Sequence, residues 1–377
     1  MLINLKKGDD TMYNGHQKDL FIKNIISKTA EVKARILFER IAPYEQEQGT
    51  DICNENPRLY PRIISESDMR IQRFDYFYGL YNLLLNYRVF CYTRGLIDPS
   101  RYFQYDPGDP DNALPETEKM IYLYNEFVKY KKHLQVPTPD DCVTVLQETL
   151  LKNISTDRNC ISMDEYRLAY MILRYLGISE NDIMRLRLAD IKNVNGKYYV
   201  IGAETHCEAN TEKAYRAIDR LVNNRTIKQI TRAGSVRVRP LGSEYLFAYR
   251  DDEKFADEIN ERVKKRVEKI KINIRKEMSK FDMADCPTLS DIVFRGTIYR
   301  MCIHERREDI DEMQELSYSQ WFTLYTYYEH PEQWDFAKDP LIDVAPIATV
   351  PIAKAVEIKN IFFETYDYLE QNNAWPQ

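Results

Sequence analysis

The segment Tyr166–Asp190, YRLAYMILRYLGISENDIMRLRLAD, sets the expected fold of the chain. Its apolar residues up to position 176 recur at helical spacing, which predicts a helix with one buried face. Gly177 ends this helix, and Ser179 with Asp182 three residues later is the pattern that starts a second helix. Asn195-Gly196 before the run KYYVIGAE predicts a β-hairpin. The expected order is helix, glycine turn, helix and hairpin.

The composition favours a mainly helical, water-soluble protein. Its 377 residues are enough for two domains, since a domain usually holds on the order of 100–200 residues. Only 12 Gly and 16 Pro stand against 30% charged residues, so we expect a mainly α fold with a small β-hairpin or sheet. The chain shows neither an apolar run near the roughly 18 residues of a membrane-spanning helix nor a leader pattern. We expect a cytoplasmic protein without a membrane partner.

The cysteines and histidines predict no metal site. Seven cysteines are scattered along the chain without a CxxC pair, as in proteins of a reducing cytoplasm. His206-Cys207 and the pair Cys302 and His304 have no further ligands at a familiar spacing. We therefore expect neither a bound metal nor another cofactor.

Basic residues are clustered locally, although the whole chain carries a net charge of −6. Helix propensity predicts a helix over Glu212–Asn223, and basic residues continue from it to Pro240. These candidates for DNA contact are Arg216, Arg220, Arg225, Lys228, Arg232, Arg237 and Arg239. Phosphate contacts depend on the local field, so the acidic total does not exclude them.

The first third of the chain is predicted to be helical. Gln17–Glu47 fits one long helix or two consecutive ones, and Ser65 is expected to cap a helix whose stripe of Phe and Tyr forms a core. Exposed basic residues here are weaker candidates for DNA contact: Lys28, Lys33, Arg35, Arg70 and Arg73. Farther along, Asp251–Phe281 is expected to form a charged helix with one narrow apolar stripe.

Three segments resemble the signature boxes of the tyrosine recombinases, or phage integrases. RYLGISENDIMRLRLAD resembles the first box, TGLRxSE…L…D, and TLSDIVFRGTIYRM resembles the second, with Arg295 at its arginine. SYSQWFTLYTYYEH resembles the segment of the nucleophile, where Tyr328 precedes His330 by two residues. Tyr327 is an alternative one position away. The resemblance implies a two-domain clamp around duplex DNA.

The resemblance also implies domain limits. Residues 1–16 are a flexible N-terminus, 17–136 a helical core-binding-like domain, 137–340 a catalytic-like domain and 341–377 a C-terminal helical tail. The limit at 136/137 lies within the proline-bearing stretch His133–Asp141, where Thr138 is expected to cap a helix. In the family the tail packs into a neighbouring protomer, and docking on its own domain is the alternative here.

Several groups that the recombinase reaction needs are missing. The first catalytic arginine falls on Gly177 and the histidine of the second box on Ile292, while Lys213 lies too far along to replace the catalytic lysine. Losing one donor from such a site costs about 10²–10³ in rate. We therefore expect no catalytic residues, with Arg295, Tyr327 and Tyr328 as remnants. Arg295 is also a candidate for DNA contact as a retained phosphate ligand, with a packing role as the alternative.

These features lead to three hypotheses. The first is an inactive recombinase scaffold that binds specific DNA as a phage or prophage repressor in a bacterial host, similar to the SPβ-type phage lytic-cycle repressors. Its partners would be duplex DNA, a second copy of itself or a small regulatory protein. The second is an active, divergent integrase. The third is a helical protein-interaction module, which the acidic net charge favours.

Overall fold

The structure is a computed structural model. It describes residues 12–25, 27–67, 69, 71, 73–104, 116–130, 136–149, 162–194, 197–202, 205–209, 212–223, 226–230, 234, 236–240, 242–248, 261–278, 287–305, 310–330 and 350–375. Within these residues the chain forms 15 α-helices and five strands. The prediction of a mainly helical protein is confirmed.

The chain divides into two compact units. Unit 1 comprises Met1–His133 and Pro351–Glu357, and unit 2 comprises Leu134–Val350 and Ile358–Gln377. The sequence places a domain limit at 136/137, close to the division at 133/134. That the two units correspond to the two domains of a recombinase clamp stays a prediction.

The described part of unit 1 is helical. Its helices are α1 (Gly15–Lys23), α2 (Lys28–Gln48), α3 (Tyr60–Glu66), α4 (Phe74–Thr93), α5 (Pro99–Gln104) and α6 (Glu116–Tyr130). The segment predicted as one helix or two forms two, because Ser27 caps α2 by accepting a hydrogen bond from the amide of Ala30. The flexible start predicted for 1–16 lies mostly outside the described residues, and α1 already includes its last two positions.

The prediction that Ser65 caps the aromatic helix is wrong. Ser65 lies inside α3, which begins at Tyr60 with Pro61 in its first turn, a position where the missing amide hydrogen of proline costs nothing. The aromatic helix α4 begins at Phe74. Its stripe is core, as predicted, because Phe74 and Phe77 are fully buried and stack with centroids 6.0 Å apart.

A buried lysine ties α1 to α2. The Nζ of Lys18 lies 2.6 Å from Oε1 of Glu45 and 3.9 Å from Oδ2 of Asp51. Burial raises the pKa of Glu45 to about 7, and the charge of Lys18 opposes this rise. Because an unpaired buried charge costs about 3–5 kcal/mol, the pair specifies how the first two helices pack.

The described part of unit 2 contains the remaining helices and all five strands. The helices are α7 (Pro139–Thr149), α8 (Met163–Tyr175), α9 (Glu180–Arg185), α10 (Glu212–Asn223), α11 (Glu261–Met278), α12 (Leu289–His304), α13 (Asp311–Gln314) and α14 (Tyr318–Glu329). A last helix, α15 (Ile352–Gln371), has residues in both units. Thr138 caps α7 as predicted, since its hydroxyl accepts from the amide of Asp141 at 3.1 Å.

Helix α8 is the centre of unit 2. Residues on all sides of it are buried, among them Tyr166, Tyr170 and Tyr175. The sequence predicted only one buried face, and the difference arises because α7, α10, α11 and α12 all pack against α8. A helix covered on this many sides holds its ends in fixed positions, and its C-terminal end is where the candidate site lies.

The strands form two small antiparallel sheets. One contains β1 (Ile191–Val194), β2 (Lys197–Gly202) and β3 (Thr205–Ala209) in sequence order. Val194 pairs with Lys197, so the predicted hairpin is confirmed, while Asn195-Gly196 lies outside the described residues. The other sheet pairs β4 (Thr226–Ile230) with β5 (Val236–Pro240).

Two further helices were predicted from periodicity. Helix α11 occupies 261–278 of the predicted 251–281, and the rest of that range is outside the described residues. The Nζ of Lys271 lies 2.7 Å from Oε2 of Glu180 and fastens α11 to α9. In α15 the ring of Phe362 packs on Trp321, with centroids 5.0 Å apart, in the core of unit 2.

None of the described helices is both long enough and apolar enough to cross a membrane.

Candidate nucleic-acid interface

The turn after α8 is closed by backbone hydrogen bonds. Gly177 has a φ of +95°, a conformation that glycine adopts without the steric cost of a Cβ. The amide of Ile178 donates to the carbonyl oxygen of Leu173 at 2.9 Å. The hydroxyl of Ser179 accepts from the amide of Asp182 at 3.1 Å and starts α9. The predicted sequence of helix, glycine turn and helix is confirmed.

Helix α12 lies directly against the C-terminal end of α8. An ideal Cβ on Gly296 would lie 1.9 Å from the carbonyl oxygen of Tyr175, so this approach requires glycine. The start of α12 is set by a capping box between Thr288 and Asp291. The approach brings the segment 288–301 next to the turn at Gly177.

Arg300 of α12 links three segments that are distant in the sequence. Its guanidinium donates to the carbonyl oxygen of Tyr175 at 2.7 Å, to the hydroxyl of Thr297 at 3.0 Å and to the carbonyl oxygen of Tyr328 at 3.1 Å. An ideal Cβ on Gly177 would lie 2.6 Å from Cζ of Arg300. A buried guanidinium therefore covers the position at which the resemblance expects the first catalytic arginine.

The hydroxyl of Tyr328 is held inside the protein. It donates to Oε1 of Glu305 at 2.6 Å, and the two residues are only 5% and 4% exposed. The ring of His304 stacks on Tyr328 with centroids 5.7 Å apart. Desolvation by the surrounding protein lowers the pKa of His304, although its side chain is partly exposed, and the nearby charge of Arg300 lowers it further. The predicted nucleophile thus belongs to a cluster in which Arg300, Glu305 and Tyr328 are buried and His304 is exposed. We call these four residues the tyrosine cluster.

The other residues predicted from the recombinase boxes, Ile292, Arg295 and Tyr327, differ in burial. Ile292 is fully buried and therefore packs in the core. Arg295 is half-buried on the same helix. Burial raises the pKa of the Tyr175 hydroxyl, and the charge of Arg295 opposes that rise. Tyr327 is partly buried and packs edge-on against Tyr328 at 5.4 Å. Arg295 and Tyr327 are the remnants with side chains nearer the surface.

We expect Tyr328→Phe to lower the free energy of unfolding of unit 2 by about 1.5–3 kcal/mol, the worth of a hydrogen bond to a charged group. The substitution removes the phenolic donor to Glu305 and keeps the ring stack with His304. Urea unfolding followed by tryptophan fluorescence measures this, because Trp321 is in the core of unit 2. The matched control is Tyr318→Phe at a half-buried position, where a change within 0.5 kcal/mol is expected. Equal effects of the two substitutions would show that the bond to Glu305 contributes nothing.

Three basic residues of α10 lie along one side of that helix. Lys213, Arg216 and Arg220 follow one another at intervals of three and four residues, which places them on one face. Lys213 and Arg216 are exposed, and Arg220 is half-buried with its Nε 2.5 Å from Oε1 of Glu165. We call these three residues the basic stripe.

The remaining predicted DNA contacts are distributed as follows. Lys228 lies on β4, and Arg237 and Arg239 lie on β5, where the backbone register pairs Lys228 with Val238. Arg70, Arg225 and Arg232 lie outside the described residues. Among the predicted contacts whose side chains the structure describes, Arg216 and Arg220 share one face of α10, and Lys213 joins them.

The candidates in unit 1 are engaged to different degrees. Lys28 is exposed at the start of α2, and the Nζ of Lys33 lies 4.8 Å above the ring of Tyr76. Arg35 pairs with Asp19 at 3.1 Å. Arg73 is more strongly held, because it lies 3.3 Å from Asp75 and 3.9 Å from Glu357.

The described residues gather no three side chains of His, Cys, Asp and Glu in the way that a metal ion needs. Of the two pairs considered in the sequence, His304 stacks on Tyr328, and Cys302 donates from its Sγ to the carbonyl oxygen of Phe362 at 3.5 Å. His206-Cys207 lies in β3.

Sequence reasoning missed Arg300 and Glu305. Arg300 lies within the second box and Glu305 follows it, and the resemblance assigns no role to either position. A signal was present in the spacing of Thr297 and Arg300, because a hydroxyl and a guanidinium three residues apart on a helix can meet, as they do here. Glu305 stands beyond the last residue of α12 and gave no signal of its own.

Comparison of the chain with models of protein families, with curated proteins and with solved structures finds no match.

Proposed function

We propose that the protein is a sequence-specific DNA-binding protein built on a tyrosine-recombinase-like scaffold that does not cut DNA, and that it acts as a phage or prophage transcriptional repressor. One observation carries the proposal. Arg300 holds together the three segments on which the resemblance rests, by bonds to Tyr175, to Thr297 and to Tyr328. In a recombinase these segments must meet around one phosphate, and an accidental likeness of short motifs gives no reason for them to meet.

The geometry of the tyrosine cluster supports the absence of cleavage. A nucleophilic phenol has to reach the phosphodiester and be activated there. The hydroxyl of Tyr328 instead donates to the buried carboxylate of Glu305. The guanidinium of Arg300 beside it donates to protein carbonyl oxygens and is therefore not directed at a phosphate.

The basic stripe supports DNA binding. Lys213 and Arg216 are exposed on a helix whose other side is core, so their charges face solvent. Cations on one face of a rigid helix neutralise backbone phosphates and release counterions, which provides affinity without base readout. Sequence preference would come from further side chains that reach base edges.

Mapping the DNA retained by the full-length protein, from the genome that encodes it and its parent element, tests the proposal. We expect salt-sensitive retention of a few discrete sites, and no covalent adduct with nicked suicide duplexes carrying those sites. An adduct that disappears in Tyr327→Phe or Tyr328→Phe would identify an active recombinase instead. Failure to retain any DNA at low salt would contradict the proposal and favour a protein-interaction module.

We expect Arg216→Ala to weaken binding to every retained site by a similar factor and to reduce the salt slope of log K by about 1, the signature of one lost phosphate contact. The contact lies on the backbone, so site preference should not change. The matched control is Arg275→Ala, which removes an exposed arginine of α11. Titration of each variant with DNA at several salt concentrations measures the affinity and its salt slope. A change in preference among sites, without a change in slope, would assign Arg216 to base readout.

A further inference from the structure

A cavity of about 290 Å³ opens beside the basic stripe, between α7, α8 and α10. Its lining combines apolar and charged side chains in separate places, from three different helices. The lining residues are Gln147, Glu165, Leu168, Lys213, Arg216, Ala217 and Arg220. The proposed function uses the charges of the stripe but gives no role to the cavity itself.

The inner surface of the cavity is apolar. Leu168 of α8 and Ala217 of α10 are 4% and 7% exposed, so both belong to the core of unit 2. A concave site with an apolar floor and a few polar groups at its edge is the usual form of a small-molecule site. The volume lies near the lower end of the usual range of about 300–1,000 Å³, which selects a small ligand.

Among the described lining residues, the cations Lys213, Arg216 and Arg220 outnumber the acids. Glu165 is the one acid among them, and its carboxylate pairs with Nε of Arg220 at 2.5 Å and accepts from the amide of Ser162 at the start of α8. Lys213 keeps one Nζ–H bond to the hydroxyl of Thr144 at 2.7 Å, and an ammonium has three donors. The edge of the cavity therefore favours an anion.

Arg216 indicates which anion fits. A guanidinium matches phosphate oxygens with two parallel donors, whereas a lysine acts as a point charge. A phosphodiester of duplex DNA is flanked by two sugars and cannot place an apolar group on the floor of a recessed cavity. A phosphate monoester carries more charge and leaves one substituent free to enter.

We propose that this cavity binds a small organic phosphate monoester, with the phosphate on Lys213 and Arg216 and an apolar substituent on Leu168 and Ala217. The bound ligand takes Arg216 away from DNA and so releases the protein from its sites. The release from DNA rests on the proposed function, whereas the binding of the ligand does not.

Calorimetric titration of the full-length protein tests ligand binding without DNA. The probes are phenyl phosphate, which has an apolar ring, and inorganic phosphate, which has none. We expect phenyl phosphate to bind at least tenfold more tightly than inorganic phosphate. Arg216→Ala should weaken the binding of phenyl phosphate at least tenfold, because it removes the guanidinium that holds the phosphate. Ala217→Leu should abolish the preference for the phenyl group by filling the floor, while Arg275→Ala should change neither affinity.

Three outcomes would overturn the proposal. These are no heat of binding with phenyl phosphate, equal affinity for the two probes, or equal effects of Arg216→Ala and Arg275→Ala. Arg216 is exposed, so its variant keeps the test valid if Ala217→Leu does not fold.

In a second arm, phenyl phosphate is added to the protein bound to its DNA sites. Release that requires Arg216 supports competition, and retention despite measured ligand binding refutes it. If the protein binds no DNA, the proposed function fails while the calorimetric arm still decides the ligand site.

Discussion

Gly296→Ala is expected to lower the free energy of unfolding of unit 2 by at least about 3 kcal/mol, at the upper end of the usual cost of overpacking. The added Cβ would lie 1.9 Å from the carbonyl oxygen of Tyr175 and 2.7 Å from its carbonyl carbon. The obstacle is backbone, so no rotamer change relieves it, and α12 has to move away from α8. The movement also lengthens the bond from Arg300 to the same carbonyl oxygen.

Tryptophan fluorescence during urea unfolding measures this loss, since every tryptophan of the chain falls within the residue ranges of unit 2. The matched control is Gly79→Ala in α4, where an added Cβ meets nothing within 4 Å. Alanine is a better helix former than glycine, so this substitution should raise the free energy of unfolding of unit 1 by up to about 1 kcal/mol. Hydrogen exchange of α4 measures that gain. A Gly296→Ala protein as stable as the parent would mean that the two helices are not in direct contact.

The sequence predicted the elements that depend on local rules. The turn at Gly177, the cap at Ser179 and the pairing of Val194 with Lys197 all follow from the residue types at those positions. The limits of α10 agree with the prediction for Glu212–Asn223. Among the described residues, a prediction from local chemistry failed at Ser65, where a nearby Pro61 favoured an earlier helix.

The site could be predicted only in part, because its central contacts join residues far apart in sequence. Arg300 reaches a carbonyl oxygen 125 residues earlier and another 28 residues later, and no spacing rule relates these positions. Burial is also a tertiary property. The sequence proposed Tyr328 from its distance to His330, but whether its hydroxyl faces DNA or Glu305 depends on how α14 and α12 pack.

The arrangement around Gly177 leaves no room for an arginine side chain at position 177. An arginine introduced there would begin with a Cβ inside the guanidinium of Arg300 and with a φ that L-residues rarely adopt. The space is filled by the guanidinium of Arg300 from α12, which bonds to the carbonyl oxygen of Tyr175 at the end of α8.

Arg300→Met is the second substitution with a large expected effect. We expect it to lower the free energy of unfolding of unit 2 by about 3–5 kcal/mol. Methionine fills much of the same volume but donates no hydrogen bond, so the carbonyl oxygens of Tyr175 and Tyr328 lose their guanidinium donors inside the protein. The loss should appear as a lower urea midpoint in tryptophan fluorescence. Because Arg300 lowers the pKa of His304, that pKa should rise in the variant, and the proton NMR titration of the imidazole measures the change.

Arg275→Met provides the comparison, since it makes the same chemical change at an exposed position of α11 and should stay within about 0.5 kcal/mol of the parent. The two readouts together separate two roles for Arg300. If it joins the three segments, stability and the His304 pKa change together. If stability falls by less than about 1 kcal/mol, one ordinary hydrogen bond would account for the whole effect, and the three segments would be held together by apolar packing instead.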